Sequence, residues 1–292
     1  MLLPDLFADL DVRVGPVPRV LSDPVGRGVL WQTGPGVLLL EVPDVARFLV
    51  EDGRSMTIEP WDGADPRVVA RFAGMTPLAA VAWQRGMLAL HAAAVVGPSG
   101  AGAGAAAGAG MDAGAGAALL CGESAVGKSV LAAALLDRGW SVLADDLAIL
   151  AFDEGGRAHV VPAAPELRLW PDALEQLGLA GRSAEQDLSG RWIVPAGGSS
   201  EASAPEVATV WVLSTHAGDD LEVKGLDGAD RFRSVTHLAY NTQIAATLLD
   251  GGAGLRSVSR LMRAVPVRRA RRPRGVWSVE ALADAVQRGR ER

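Results

Sequence analysis

The stretch Gly122-Glu123-Ser124-Ala125-Val126-Gly127-Lys128-Ser129 decides the class of fold, because it fits G-x-x-x-x-G-K-[ST]. The two glycines permit a tight backbone turn that aims successive N–H groups into one concavity, where phosphate oxygens can sit. A helix starting at Lys128 adds its positive end. Lys128 supplies a compact charge for β- and γ-phosphates, and the Ser129 hydroxyl suits Mg²⁺. Chance accounts poorly for the match, since Lys128 and Lys224 are the only lysines in the chain. The flanks agree with it. The apolar strand Ala118–Cys121 precedes the loop, and a helix carrying Val130, Leu131, Leu135 and Leu136 runs to Asp137 and stops at Gly139. Gly122 through Val130 are therefore expected to hold a nucleoside triphosphate, ATP with Mg²⁺, in an α/β fold.

Outward from that loop, the next strand reads as Ser141–Leu150 and carries Asp145-Asp146, 17 residues beyond Lys128. Ligands of open α/β sheets lie at the carboxyl ends of strands, so these carboxylates are expected to face the nucleotide. Adjacent strand residues point to opposite faces, which predicts separate tasks for the two. One would accept a proton from an attacking hydroxyl, and the other would orient Mg²⁺ through water.

Residues 1–75 read as a small β-rich domain. Strands are expected at Val37–Val42, Phe48–Val50 and Met56–Ile58, the last two joined across Glu51-Asp52-Gly53-Arg54, where Asp-Gly signals a hairpin. Residues 76–292 read as the catalytic domain. It opens with a helix over 77–85 closed by Gly86 and a strand from Met87 to Val96. Residues 97–117 are almost entirely Gly and Ala and cannot bury enough side chain to offset their ordering entropy, so they read as an enlarged hairpin turn. A second flexible stretch is expected at Ala196–Pro205. Further strands are expected at His159–Val161 and Val207–Ser214, with helices near 172–177, 229–249 and 278–288.

Bulk properties narrow the setting. With 292 residues, 49% hydrophobic and 21% charged, the chain has a globular composition and can bury a sizeable core. Its single cysteine, Cys121, excludes an intramolecular disulfide and a cysteine-based zinc site. The acidic start lacks a signal-peptide pattern, and the Gly/Ala run is too weakly apolar for a membrane span. A cytoplasmic location without membrane contact is expected. Net charge is −6, yet from Arg256 onward 11 arginines face only three acids. That tail reads as exposed surface rather than a nucleic-acid dock, so no nucleic-acid partner is expected.

The residues also resemble a family. Leu90-His91-Ala-Ala-Ala-Val-Val, the glycine-rich turn, Ala118 through Ser129 and the run Leu-Asp-Arg-Gly-Trp-Ser-Val-Leu-Ala-Asp-Asp are similar, in that order, to the catalytic domain of HPr kinase/phosphorylase. The likeness extends to HPr-kinase-related proteins of peptide-modification systems, including lasso-peptide kinases. Those have a β-rich front segment similar to Val42-Pro-Asp-Val-Ala-Arg-Phe-Leu-Val-Glu-Asp-Gly and a block similar to Leu167-Arg-Leu-Trp-Pro-Asp-Ala-Leu. The resemblance is good over roughly 85–175 and looser elsewhere.

The resemblance implies a P-loop, HPr-kinase-like (PEP-carboxykinase-like) catalytic domain with a small β-rich N-terminal domain. It implies Asp145 as the base that deprotonates a serine, His91 as an active-site histidine on the preceding strand, and Ser129 with Glu166 as Mg²⁺ ligands. Glu166 stands in Pro165-Glu-Leu-Arg, where Leu-Trp replaces the family's glycines. The family's late arginine motif survives only as Pro266-Val-Arg-Arg-Ala-Arg-Arg, pointing to Arg268. Homo-oligomeric assembly is a further implication.

Read without the family, His91 in an apolar strand is an ordinary core residue, raised to a candidate by its place one strand before the loop. Arg168 either meets a transferring phosphate or caps Asp172. The leading expectation is an ATP- and Mg²⁺-dependent kinase phosphorylating a serine of a peptide or small protein. A small-molecule P-loop kinase, and a nucleotide-binding scaffold without transfer, stand beside it.

Overall fold

The computed structural model describes residues 7–98, 116–163, 166–182, 185–187, 189–196, 204–236, 238–249 and 252–290. Contacts divide the chain into two units, Met1–Ala89 with Ala239–Ser259, and Leu90–Leu238 with Arg260–Arg292. The cut expected at 75/76 differs from this division, because the apolar 77–85 segment packs within the first unit and a later segment returns to it.

In chain order the first unit begins with β1 (Asp11–Val14), β2 (Gly26–Arg27), β3 (Trp31–Gly34), β4 (Val37–Val42), β5 (Ala46–Glu51) and β6 (Ser55–Pro60). They form one sheet in the order β1-β6-β5-β4-β3-β2, antiparallel except for the β1–β6 pair. β4 has the expected bounds, and Asp52 and Gly53 take positive φ, as the primed hairpin turn requires. Helices α1 (Pro66–Ala73) and α2 (Thr76–Gln84) follow. Asp65 caps α1, accepting from the Arg67 N–H at 2.8 Å. α2 packs on β5, and its last residue locks the hairpin: Gln84 Oε1 accepts from the Gly53 N–H at 2.6 Å, while Gln84 Nε2 donates to Gly36 O at 3.0 Å.

The expected strand Met87–Val96 is two strands, β7 (Leu88–Leu90) and β8 (Ala92–Val96), parted at His91, whose backbone N–H donates to Leu238 O at 2.9 Å. Then come β9 (Ala117–Gly122) and α3 (Lys128–Asp137), the latter with the bounds its sequence predicts. Residues 99–115, most of the Gly/Ala run, lie outside the described residues. Their flanks, β8 and β9, pair antiparallel from Ala92↔Cys121 to Val96↔Ala117, as an enlarged hairpin predicts. The expected strand Ser141–Leu150 also divides, into β10 (Ser141–Ala144) and β11 (Ala148–Phe152). β12 (Ala158–Val161), β13 (Glu166–Leu169), α4 (Pro171–Gln176), β14 (Glu185–Gln186), β15 (Trp192–Pro195), β16 (Val207–His216) and β17 (Glu222–Leu226) complete the middle of the chain. Residues 229–249 hold two helices rather than one, α5 (Gly228–Thr236) and α6 (Thr242–Leu248), and α6 packs on α2 and β3. α7 (Ala253–Ala264), β18 (Val267–Pro273) and α8 (Val279–Arg290) end the chain.

The main sheet of the second unit runs β10-β8-β9-β16-β18-β17. β9, β16 and β18 are mutually parallel, and β10 shares their direction because both it and β9 oppose β8. Four strands thus end on the same edge, at Ala144, Gly122, His216 and Pro273. β10 is two strands away from β9, not beside it. α3 covers β8, β9 and β10 and packs on α8 and β13. The core between them gathers Leu120, Leu131, Leu135, Trp140, Trp211, Leu282 and Val286. Each fully buried leucine there contributes roughly 1.5–3 kcal/mol relative to exposure.

Candidate functional site

The carboxyl edge of the main sheet is where the glycine loop turns. Gly122 has φ +151°, Ala125 +63° and Gly127 +103°. A Cβ on Gly122 would lie 2.6 Å from Leu213 O, so the position excludes any side chain. Alternation of left- and right-handed backbone is the geometry that makes an anion-binding concavity. Glu123, Ser124 and Ala125 form its exposed crest, while Val126 anchors it in the core. Gly127 is the residue before α3 and has no side chain to satisfy the helix's first N–H groups, which leaves them for a ligand. Val130 stands half-buried in the first turn of α3.

Lys128 is buried, at 5% exposure, and its Nζ donates to two loop carbonyls, Gly122 O and Glu123 O, each at 3.0 Å. Among the described residues no carboxylate forms an ion pair with it. Desolvation lowers its pKa, against the pull of the Asp146 and Asp145 charges.

Asp145 and Asp146 do not alternate across a strand. They occupy the bend between β10 and β11, and Asp146 takes φ +64°. The expectation of opposite faces therefore fails, because a short polar side chain tolerates the left-handed region and the strand stops there. Ser129 Oγ donates to Asp145 Oδ1 at 3.0 Å, and Asp145 Oδ2 is sealed from solvent without a hydrogen-bond partner. Burial foremost, then the Asp146 charge, pushes the Asp145 pKa up to about 7, against the Ser129 hydrogen bond, the Asp146 N–H and Lys128.

His91 sits between β7 and β8. Its pKa is lowered by burial first and then by Lys128, with Asp146 opposing. The imidazole is thereby held neutral near pH 7, within electrostatic range of both loop and bend. Cys121 is buried at the end of β9, and its thiol is pushed up to about 12 by desolvation. That is an inert core residue, not a nucleophile.

Two expected residues are engaged in other contacts. Glu166 is exposed at the start of β13 and pairs with Arg168 Nη2 at 3.2 Å. Arg168 Nε is also 3.6 Å from Asp187 Oδ2, the residue that follows β14. Arg268 stacks over the Trp211 ring, 5.6 Å from its centroid, on the side of α8. The arginine that meets the loop is Arg272, whose Nε donates to Val126 O at 3.0 Å. It pairs in register with Thr215 on β16, at the same carboxyl edge. Sequence reasoning missed it because the Arg-rich run gave no sign of being a central parallel strand. The turn former Gly275 and the bounding Pro266 were the available signal.

Among the described residues no three His, Cys, Asp or Glu side chains cluster as a metal site. A magnesium ion bound here would draw on the Ser129 hydroxyl and on phosphate oxygens, as Mg²⁺ sites that take few protein ligands do. No helix among the described residues is long and apolar enough to cross a membrane.

No family model and no curated protein matches this sequence. Among solved structures, the chain is similar to the HPr(Ser) kinase/phosphatase from Coxiella burnetii, with 15% identity over 69% of this chain and 90% of that one. The TM-score is 0.32, a likeness too distant to assign any residue or reaction to this chain.

Proposed function

We propose that this chain is an ATP- and Mg²⁺-dependent phosphotransferase that phosphorylates a hydroxyl, that of a serine in a peptide or small protein. The observation that carries this reading is the carboxylate of Asp145, with one oxygen on Ser129 and the other buried and unpartnered beside the loop. A buried acceptor costs stability unless something it binds in function compensates. The residues fit both groups the reaction needs. The Gly122–Ser129 backbone and the start of α3 suit a polyphosphate, and Ser129 suits Mg²⁺, which when bound would neutralise phosphate charge.

Lys128, held only by neutral carbonyls, can exchange them for phosphate oxygens. Asp145, with a pKa raised toward neutrality, is matched to receive the proton of an acceptor hydroxyl. Arg272 braces the loop through Val126 O. His91 is suited to a neutral hydrogen-bonding role beside them. Serine as acceptor rests on the motif resemblance in Leu90–Asp146.

The test uses purified protein, magnesium, ATP labelled on its γ-phosphate and a library of serine peptides. Label is expected on peptide with the native chain. Asp145→Asn should cut transfer by about 10²–10⁴-fold, the usual worth of a general base, while ATP affinity stays within a few-fold. Normal transfer by that variant removes the base role. Label on small hydroxyl compounds but never on peptides reassigns the substrate class, and failure to bind the nucleotide ends the reading.

A further inference from the structure

We infer that β1, an edge strand of the first unit's sheet among the described residues, pairs antiparallel with β1 of a second copy of this chain. The inference does not depend on phosphotransfer. All four residues of β1 are exposed, with Val12 at 54% and Val14 at 78%. β1 joins β6 in parallel register, Asp11↔Ser55 to Val14↔Ile58. The Asp11 N–H donates to Arg54 O at 2.9 Å, and the Gly15 N–H to Ile58 O at 3.0 Å. By the period of two, odd residues bond inward, and the backbone N–H and C=O of Val12 and Val14 face outward.

Edges of this kind are normally blunted by brevity, proline, bulges or charge. The opposite edge follows that rule, since β2 has only two residues. β1 is twice as long and has no proline, and its two charges, Asp11 and Arg13, are of opposite sign.

The charge pattern selects the occupant. With Val12 opposite Val12 of the copy, a two-fold axis passes between them, and the two residues exchange both N–H···O bonds. The flanking non-hydrogen-bonded pairs then set Asp11 against Arg13 of the copy, and Arg13 against Asp11. Opposite charges in directly facing positions stabilise antiparallel pairs. Asp11 and Arg13 are exposed, at 63% and 59% of their side chains, and lie 3.6 Å apart, so each can reach across. On the other face Val12 meets Val12, and Val14 meets Leu10. The Val14 N–H can donate to Leu10 O, while the Leu10 N–H is already spent on Phe7 O. A one-residue slip in either direction loses the outward hydrogen bonds, and a two-residue slip sets Arg13 against Arg13. One register satisfies both patterns.

Sedimentation of the full chain over a concentration series should show a monomer–dimer equilibrium. Val12→Pro removes only an outward N–H, so it should raise the dimer Kd by about ten-fold or more while the melting curve holds. Arg13→Asp sets carboxylates against carboxylates and should weaken the dimer by about ten-fold. Adding Asp11→Arg to it restores opposite charges and should restore the dimer. Both swap variants lose the Arg13–Thr57 hydrogen bond equally, so comparing them isolates the pairing. Should Val12→Pro unfold the chain, the swap pair decides alone. A native chain that stays monomeric to roughly 1 mM, a dimer indifferent to the swap, or a monomer that instead takes up an unrelated extended peptide at β1 overturns the inference.

Discussion

Each unit buries one cation among its described residues, Arg47 in the first and Lys128 in the second. Their surroundings differ in kind. Arg47 donates to Glu41 and Glu59 at 3.0 Å each and lies 4.5 Å from the centroid of Trp61. Its hydrogen bond to Glu41 foremost raises its pKa. Lys128 has two neutral carbonyls instead, and its pKa is lowered by burial. A cation with its full complement of carboxylates is finished, and holds a sheet together. One held by carbonyls alone keeps charge available for a partner that is not part of the fold.

Asp145 gives the most direct way to break this contrast, since it is the anionic member of the unfinished set. Its folded pKa of about 7 lies above the unfolded value of 3.8. Between those values the folded state holds a proton that the unfolded state has released, so stability falls as pH rises from about 4 to 7 and stays low above. The penalty is on the order of a few kcal/mol at pH 8. Asp145→Asn should therefore raise the melting temperature at pH 8, with little change at pH 4, in scanning calorimetry of the nucleotide-free protein. A variant no more stable than the native chain at pH 8 would show that the carboxylate is not under strain.

Next in size is Lys128→Met. Loss of a charged hydrogen bond to phosphate costs about 1.5–3 kcal/mol, roughly ten- to a hundred-fold in ATP affinity by calorimetry. Melting should be unchanged or higher, because a desolvated charge is gone. The matched change Arg47→Met should do the reverse, lowering the melting temperature by stranding Glu41 and Glu59 while ATP affinity holds. Equal effects of the two on binding would dissolve the comparison. Smallest is Arg272→Ala, which removes a brace on the loop. A few-fold loss of ATP affinity, about 0.5–1.5 kcal/mol for one hydrogen bond, is expected from titration.

The glycine loop was legible because its conformation admits so few residues: Gly122 and Gly127 stand where a Cβ clashes or φ is strongly positive. The β5–β6 hairpin and α3 were legible for the same local reasons. What escaped was set by distant chain. Nothing in Ser141–Leu150 marks a break by glycine or proline, and the bend at Asp145–Leu147 is held by tertiary contacts such as Ser129 Oγ. The central place of β18, parallel to β16, needs a pairing across about 60 residues that no local pattern encodes. Arg268 and Arg272 are four residues apart, and in an extended strand that spacing sets Arg268 beside Trp211 and Arg272 at the loop.

The direction of β8 has a practical consequence. The Gly/Ala run leaves at Val96 and returns at Ala117, at the opposite end of β9 from Gly122. Six strand residues, roughly 20 Å, separate that entrance from the edge where the glycine loop turns. Length there can drift over generations, or be cut and refilled by an experimenter with a fluorophore or a whole guest domain, at little cost to loop closure. The molecule carries its own insertion port on its blind side.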